Sequence, residues 1–235
     1  MCHFWQIGRP YACFVPANKQ TGVFMDPKQI VSRGYDQIAQ KYSLWGTRRE
    51  ERAKYTSLIL DLLPSGAKVL ELGCGAGVPT TQELQKKFLV TGVDISEKSI
   101  EIAKINVPQA NFIVGDMTKL DFPSGSFAGV GCFYSIVHVP RDEHFGLLCS
   151  IKKWLVPGGV LVATMGSISS EAQISDDWLG AKMFWSNFDA TENKKLVRNA
   201  GFEIISEEEE TADEDGTPIT FLWVVARKPL ETPLP

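Results

Sequence analysis

The sequence of 235 residues predicts an α/β fold in which a mostly parallel sheet is covered by helices on both faces. Short apolar runs of strand length alternate with helical segments through the middle of the chain, and such alternation is typical of parallel strands joined by crossover helices. Near the end of the chain, two apolar runs follow each other with no room for a helix between them. These two strands should therefore pair antiparallel.

Two amphipathic helices precede the first strand. The first begins at Pro27 and places Tyr35 and Tyr42 near one helical face, and the second ends before Pro64. Apolar periodicity and turn residues predict the remaining elements. The expected strands are Lys68–Leu72, Phe88–Val93, Asn111–Val114, Phe127–Phe133, Gly159–Met165, Phe202–Glu208 and Ile219–Ala226. The expected helices between them lie near Pro79–Lys87, Glu97–Asn106, Asp142–Leu155 and Thr191–Ala200.

One domain is expected from residue 26 to residue 235, because α/β units of this size often form a single core. Within it, residues 26–63 carry the N-terminal helices, and residues 168–189 form a lid-like insertion after the fifth strand. Residues 1–25 are aromatic and broken by prolines, without a helical or strand period. They are expected to form an N-terminal arm with no assigned function.

Composition and charge narrow the range of partners. The net charge of -4 argues against general attraction to nucleic acid, and no window approaches the roughly 18 consecutive apolar residues that span a bilayer. Five cysteines are scattered without metal-ligand spacing, which favours reduced thiols in the cytoplasm. We therefore expect a cytoplasmic protein with a small-molecule partner, and no nucleic acid, membrane or metal. An oligomer is possible, although no feature of the sequence indicates one.

Three glycines, Gly73, Gly75 and Gly77, lie between the first strand and the next helix. Residues without a Cβ let backbone amides come close to a ligand at such a turn. Val78 occupies the position where the dinucleotide fingerprint G-x-G-x-x-G has glycine or alanine, which argues against a nicotinamide or flavin site. A tight turn that binds no ligand is the alternative interpretation of the glycines alone.

Acidic residues follow the next two strands. Asp94 ends the second strand, beside the glycine turn, where a carboxylate can accept both hydroxyls of a ribose. Asp116 ends the third strand and can accept from an exocyclic amine, and Met117 can lie against a purine face. Each aspartate alone has another explanation, because an aspartate after a strand often caps the next helix. Together they predict a site for adenosine.

Four segments carry a resemblance to a known family. ELGCGAG, GVDIS, VGDM and LVPGGVL, in this order and spacing, resemble the class I S-adenosylmethionine-dependent methyltransferases, over about Ile30 to Arg227. The resemblance implies a Rossmann-like, doubly wound sheet of seven strands, mostly parallel with an antiparallel last strand, and S-adenosyl-L-methionine as the cofactor. YDQIAQKY, SIVHVPRDEH and DWLGAKMFWSNFD are most similar to the small-molecule members. One departure is SFAGVGCFYS, which lacks the aspartate that often opens the fourth strand.

The resemblance implies which residues contact the cofactor. Glu71, Gly73 and Gly75 would meet its methionine part. Asp94 would meet the ribose, and Asp116 the adenine amine. Tyr35 and Tyr42 would close the pocket or bond the cofactor carboxylate, and packing on the domain is the alternative for both. The expected cofactor contacts are Tyr35, Tyr42, Glu71, Gly73, Cys74, Gly75, Asp94, Ile95, Asp116, Met117 and Phe133.

His138 lies after the fourth strand, near the position where the methyl group should emerge. An imidazole there can remove a proton from a hydroxyl, thiol or amine acceptor, because its ordinary pKa lies near neutrality. The alternative is a hydrogen bond to the loop backbone before Pro140. His144, on the following helix, is interpreted as a surface residue.

The segment 168–189 is expected to contact the substrate, because it follows the fifth strand at the edge where ligands of open sheets bind. Its aromatic content exceeds what an exposed connection needs, and it favours an apolar, ring-bearing acceptor. Anchoring of a lid to the sheet is the alternative. The expected substrate contacts are Trp178, Met183, Phe184 and Trp185.

The expected reaction is methyl transfer to a heteroatom or carbon of a small, apolar or aromatic metabolite, by in-line displacement in a cavity closed to water. An alternative keeps the cofactor but directs a cyclisation or rearrangement without methyl transfer. A nicotinamide oxidoreductase is disfavoured by Val78 and by the terminal hairpin. Protein and nucleic-acid substrates are also disfavoured, because the sequence shows neither an appended recognition domain nor an N/D-P-P-Y/F segment after the fourth strand.

Overall fold

The computed structural model describes residues 25–45, 50–214 and 216–230. Of the expected N-terminal arm, residues 1–24 lie outside the described residues. The helices are α1 (Pro27–Trp45), α2 (Glu50–Leu62), α3 (Thr80–Leu84), α4 (Glu97–Asn106), α5 (Arg141–Trp154) and α6 (Ala190–Asn199), with 3₁₀ turns at Met117–Lys119 and Ile136–His138. The strands are β1 (Lys68–Leu72), β2 (Leu89–Asp94), β3 (Asn111–Val114), β4 (Phe127–Cys132), β5 (Leu155–Gly166), β6 (Ser170–Trp178), β7 (Ala181–Asn187), β8 (Glu203–Glu214) and β9 (Thr217–Arg227). None of the helices in these ranges combines the length and the apolar character that crossing a bilayer requires.

Seven strands form one sheet in the order β3-β2-β1-β4-β5-β9-β8. β9 runs antiparallel to both β5 and β8, whereas the other neighbouring strands are parallel. This arrangement confirms the predicted Rossmann-like sheet of seven strands with an antiparallel last strand. The strand order reverses between β1 and β4, so the loops that follow these two strands diverge and leave a crevice at the carboxyl edge of the sheet.

Alternating side chains of the central strands enter two separate cores. Leu70 of β1 and Leu161 of β5 pack in one core with Trp154 of α5. Val69 of β1 packs in the other core with Tyr55 of α2. Because successive side chains of a strand point to opposite faces, helices cover both faces of the sheet, as the apolar runs predicted.

Residues 168–189 contain an antiparallel hairpin, β6–β7, that the sequence analysis did not predict. The hairpin turn, Leu179–Gly180, has positive φ values of 55° and 98°, as a type I′ turn requires. A leucine is rare in that conformation, and the usual signals are Asn-Gly or Asp-Gly. The role of the hairpin as a lid stays a prediction. It shares one apolar cluster with α1, formed by Ile30, Val31, Ile38, Ala181, Met183 and Phe184.

Polar side chains hold α1 over the carboxyl edge of the sheet. Ser32 donates a hydrogen bond to the carbonyl of Ile95, just after β2, at 3.1 Å. Asp36 accepts from the hydroxyl of Ser96, at the start of α4, at 2.7 Å. The first helix therefore covers the edge at which the crevice opens.

Candidate active site

A groove opens at the carboxyl edge of β1, β2 and β4. It occupies the crevice where the strand order reverses. All the expected cofactor contacts except Glu71 and Asp116 line this groove, and His138 lines it too. The expected contacts on its wall are Tyr35, Tyr42, Gly73, Cys74, Gly75, Asp94, Ile95, Met117 and Phe133.

The glycine turn after β1 serves two purposes. Gly73 and Gly75 have φ values of 75° and 53°, in the left-handed region that favours glycine. A Cβ on Gly73 would lie 2.2 Å from Cβ of Ser135, so this glycine lets the turn pack against the loop after β4. A Cβ on Gly75 would meet no atom within 4 Å. The backbone of Gly75 therefore faces open space in the groove, where a ligand can approach it.

Asp94 presents a buried carboxylate beside this turn. Its Oδ2 accepts from the backbone N–H of Gly75 at 2.8 Å, and its Oδ1 accepts from that of Ser96 at 2.9 Å. Burial raises the pKa of Asp94 to about 6, and the backbone N–H donors oppose that shift. A carboxylate oxygen accepts more than one hydrogen bond, so Asp94 can still accept from the hydroxyls of a ligand in the groove.

Glu71 lies beneath the groove and does not line it. Its side chain is buried and accepts a hydrogen bond from the hydroxyl of Thr81, at the start of α3. Burial raises the pKa of Glu71 to about 7. Its side chain thus joins β1 to α3, and the predicted contact with the cofactor stays a prediction.

Asp116 is bound by another part of the chain. Lys28 of α1 donates to its Oδ2 at 2.9 Å, and the backbone N–H of Thr118 donates to its Oδ1 at 2.9 Å. Burial alone would raise the pKa of Asp116, but the hydrogen bonds from Lys28 and Thr118 lower it overall. Lys28 also donates to Glu143 at 2.5 Å, which joins α1 to α5. A contact between Asp116 and an adenine amine stays a prediction.

His138 is held between two partners. Its Nδ1 lies 2.7 Å from the carbonyl oxygen of Phe184, and its Nε2 lies 2.8 Å from the hydroxyl of Tyr35. A carbonyl only accepts, so Nδ1 carries the proton. Burial lowers the pKa of His138 to about 4, so the ring is neutral near pH 7 and Nε2 accepts from Tyr35.

The expected substrate contacts do not line the groove. The rings of Trp178 and Trp185 lie 5.6 Å apart at right angles, and that of Trp185 lies 5.7 Å from the ring of His138. We call Tyr35, Tyr42, Trp45, Trp178 and Trp185 the aromatic cluster; neighbouring rings in it lie within 6.0 Å. Met183 and Phe184 are buried against α1. Contact of these four residues with substrate stays a prediction.

Sequence analysis missed Ser43, Arg52, Ala76 and Ser135 of the groove wall, and it misplaced a histidine. Arg52 of α2 lines the groove and is buried. It shares a helical face with Tyr55, Thr56 and Ile59. A cation on the buried face of an amphipathic helix is a pattern from which the sequence could have predicted this residue. The surface assignment of His144 is wrong: the ring is buried, and its Nε2 lies 2.9 Å from the carbonyl oxygen of Val139.

The fold and the groove define an α/β protein with a ligand-sized crevice at the carboxyl edge of a Rossmann-like sheet. The open backbone at Gly75 and the buried carboxylate of Asp94 lie side by side in this crevice, and their contact with a ribose stays a prediction. Within the described residues, no three histidine, cysteine, aspartate or glutamate side chains are grouped to hold a metal ion.

Comparisons with known proteins agree with this class. Residues 69–159 match the sequence model of a family described as a methyltransferase domain. The chain is 29% identical over 154 residues to 27-O-demethylrifamycin SV methyltransferase of Amycolatopsis mediterranei, and the match covers 56% of each chain. The structure resembles Burkholderia thailandensis 1,6-didemethyltoxoflavin-N1-methyltransferase, with a TM-score of 0.67, 17% identity and coverage of 92% of this chain and 98% of that one. It also resembles the [4+2]-cyclase SpnF, with a TM-score of 0.67, 19% identity and coverage of 87% and 97%.

The comparisons support a class I S-adenosylmethionine-dependent methyltransferase with S-adenosyl-L-methionine as the cofactor. The two structural likenesses, at 17% and 19% identity, establish the fold. The chain spans about half the length of the curated relatives it matches, from 43% to 56% for three of them.

Proposed function

We propose that the protein transfers the methyl group of S-adenosylmethionine to a heteroatom or carbon of a small, apolar or aromatic metabolite by in-line displacement. One observation carries the proposal: a single groove joins a nucleoside end, at Gly75 and Asp94, to the imidazole of His138. The aromatic cluster borders that imidazole and offers an apolar surface to an acceptor.

The nucleoside end of the groove fits this cofactor. The backbone of Gly75 is open to a ligand, and the carboxylate of Asp94 lies beside it to accept ribose hydroxyls. Ile95 and Met117 line the same groove next to Asp94 and can pack on a purine. When bound, the cofactor supplies a sulfonium-activated methyl carbon, so the protein has to bind, orient and exclude water.

In this proposal, Tyr35 and His138 take the proton that an O–H, N–H or S–H acceptor releases, and the hydrogen bond between them supports that role. The acceptor proton passes to the hydroxyl oxygen of Tyr35 as the tyrosine proton passes to Nε2 of His138. The carbonyl of Phe184 keeps Nδ1 protonated and fixes the ring. Because the pKa of His138 is about 4, this transfer accompanies methyl transfer and does not precede it.

The class of acceptor is inferred from the residues around His138. The rings of Trp178 and Trp185 lie beside the imidazole of His138, and the ring of Tyr42 lies beside Trp178. Aromatic rings favour flat, apolar molecules. The relatives named for methylation of 27-O-demethylrifamycin SV and of 1,6-didemethyltoxoflavin support a small-molecule acceptor. Neither a nucleic acid nor a membrane enters the proposal.

A second candidate keeps the cofactor and directs a cyclisation or rearrangement without methyl transfer. It is favoured by the likeness of the fold to the [4+2]-cyclase SpnF. Product mass separates the two candidates, because only methyl transfer adds one methyl group to the substrate.

The experiment is incubation of the pure protein with methyl-labelled S-adenosylmethionine and a metabolite extract, followed by mass spectrometry of the products. We expect a labelled product one methyl group heavier than its precursor, together with S-adenosylhomocysteine. A product of unchanged mass that forms only with the cofactor present would favour the second candidate. Absence of any cofactor-dependent product would refute both.

A cytoplasmic location is part of the proposal. Three cysteines of the described residues, Cys74, Cys132 and Cys149, are free thiols. Free thiols are typical of the reducing cytoplasm, whereas secreted proteins pair their cysteines. Fractionation of cells that produce the protein tests this inference.

A further inference from the structure

Ser186 carries a buried hydroxyl in the hairpin beside His138. The residue lies on β7, two positions after Phe184, and it is fully buried. Its Oγ donates a hydrogen bond to the backbone carbonyl of Glu171 in β6 at 2.6 Å and accepts one from the backbone N–H of Arg141 at 2.9 Å. One hydroxyl therefore joins both strands of the hairpin to the start of α5.

The ladder between β6 and β7 is interrupted at Ser186. Between the paired residues on either side, β6 has two residues, Glu171 and Ala172, whereas β7 has Ser186 alone. Such a β-bulge leaves backbone groups of the bulged strand without ladder partners. Because the Ser186 hydroxyl binds the carbonyl oxygen of Glu171, a side chain supplies the partner that the ladder lacks.

The same hydroxyl binds the first turn of α5. The first N–H groups of a helix have no partner within that helix, and Pro140, which precedes α5, makes no side-chain hydrogen bond to them. Ser186 accepts from the N–H of Arg141, the first residue of the helix. Arg141 follows His138 by three residues, so this bond also fixes the segment that carries the imidazole.

The strand β7 contacts the segment from His138 to Arg141 at two points. The carbonyl oxygen of Phe184 lies 2.7 Å from Nδ1 of His138, and Oγ of Ser186 lies 2.9 Å from the backbone nitrogen of Arg141. Residues two positions apart in a strand are separated by about 7 Å, so the two contacts fix the position and the direction of the segment along β7. The contact with Phe184 decides which ring nitrogen of His138 carries the proton.

We propose that Ser186 is a positioning residue for His138: its hydroxyl holds β7 against the histidine segment, so that the carbonyl of Phe184 keeps the proton on Nδ1 and Nε2 accepts from Tyr35. The inference rests on the proposed function, which gives His138 its part in proton transfer. In the part of the chain that the structure describes, Ser186 does not line the groove. It therefore acts through His138 and not on the acceptor.

The first test is nitrogen NMR of the histidine rings without any ligand, because nitrogen chemical shifts distinguish the two neutral tautomers of imidazole. The signals of His138 are those that disappear in His138→Ala. We expect one tautomer, with the proton on Nδ1, in the wild type and in Ser186→Thr, which keeps the hydroxyl. Ser186→Ala should show a mixture of both tautomers. A proton that stays on Nδ1 in Ser186→Ala, as in the wild type, would overturn the inference.

The second test measures label transfer from methyl-labelled S-adenosylmethionine to the metabolite extract, with Ser175→Ala as the matched control. Ser175 lies in β6 of the same hairpin, and its Oγ accepts from the N–H of Asp177 at 3.3 Å. Ser186→Ala should lower the rate at saturating cofactor by about tenfold or more, because a displacement of about 1 Å can cost about 100-fold. Its affinity for S-adenosylhomocysteine should stay within about twofold. Ser175→Ala should change neither quantity, and Ser186→Thr should recover most of the rate.

The outcomes separate this inference from the proposed function. If the wild type transfers no label, the proposed function is wrong, and the tautomer found in Ser186→Ala still decides the inference. If Ser186→Ala only lowers the free energy of unfolding and keeps the wild-type tautomer and rate, the inference about Ser186 alone is wrong. If Ser186→Ala does not fold, Ser186→Cys, whose thiol makes weaker hydrogen bonds, decides by the same two measurements.

Discussion

The hydroxyl of Tyr35 lies 2.8 Å from Nε2 of His138, and this contact joins α1 to the loop that follows β4. The other ring nitrogen of the histidine lies 2.7 Å from the carbonyl oxygen of Phe184 in the β6–β7 hairpin. Three separate parts of the chain thus fix one imidazole at the groove. A residue fixed in this way has one tautomer and one orientation, which are the properties that a proton acceptor needs.

Replacement of His138 by alanine tests its role in catalysis. Positioned proton transfer typically contributes about 100-fold or more to a rate, so His138→Ala should lower kcat by about that factor. Affinity for S-adenosylhomocysteine should stay within about twofold, because the proposed role of the ring is at the acceptor. Steady-state kinetics and calorimetry measure the two quantities.

A second histidine provides the control. His144→Gln removes a buried ring outside the groove and should leave kcat unchanged, even if it lowers the free energy of unfolding. Full activity of His138→Ala would contradict a catalytic role. The imidazole would then serve only to anchor the loop to Phe184.

The pH dependence of kcat provides an independent test of the neutral imidazole. Burial lowers the pKa of His138 from 6.5 to about 4, so the ring stays neutral from neutral pH down to about pH 5. At saturating cofactor, kcat should therefore show no limb near pH 6.5. The same shift should reduce the free energy of unfolding as the pH falls from 6.5 towards 4, because the unfolded chain then binds a proton more readily. A clear limb of kcat near 6.5 that disappears in His138→Ala would show that the ring is exposed to water.

Lys28 should hold α1 against the sheet. Its ammonium donates to Asp116, to Thr118 and to Glu143, and its side chain is only 11% exposed. Lys28→Met leaves two carboxylates without this partner and should lower the free energy of unfolding by about 1–3 kcal/mol. Hydrogen exchange should show loss of protection in α1 with little change in β1 and β4.

An exposed lysine gives the matched control for that prediction. Lys98 pairs with Glu101 on the surface of α4, where each side chain is more than half exposed. Lys98→Met should change the free energy of unfolding by less than about 1 kcal/mol. Equal effects of the two variants would show that the contacts of Lys28 do not fasten the first helix.

The fold was predictable because its signals are local. Apolar runs and their spacing located the strands of the sheet, and the absence of a helix between Glu208 and Ile219 identified the terminal antiparallel pair. The β6–β7 hairpin was missed because its turn contains Leu179, a residue that rarely adopts positive φ.

The glycines and Asp94 of the candidate site were predictable, because they lie at the ends of strands that the sequence located. Contacts between side chains far apart in the sequence were not predictable. The partner of Asp116 is Lys28, which lies at the start of the first helix, and no local pattern joins the two. Arg52 was predictable, because a cation at a buried position of an amphipathic helix can be recognised from the sequence alone.

The most direct test of the central claim is a calorimetric titration of S-adenosylhomocysteine into the wild type and into Asp94→Ala near pH 7.5. At that pH the carboxyl of Asp94, whose pKa is about 6, is ionised and can accept the ribose hydroxyls. We predict saturable binding to the wild type and affinity at least about 30-fold weaker for Asp94→Ala. No binding to the wild type, or equal affinity in both proteins, would contradict the account.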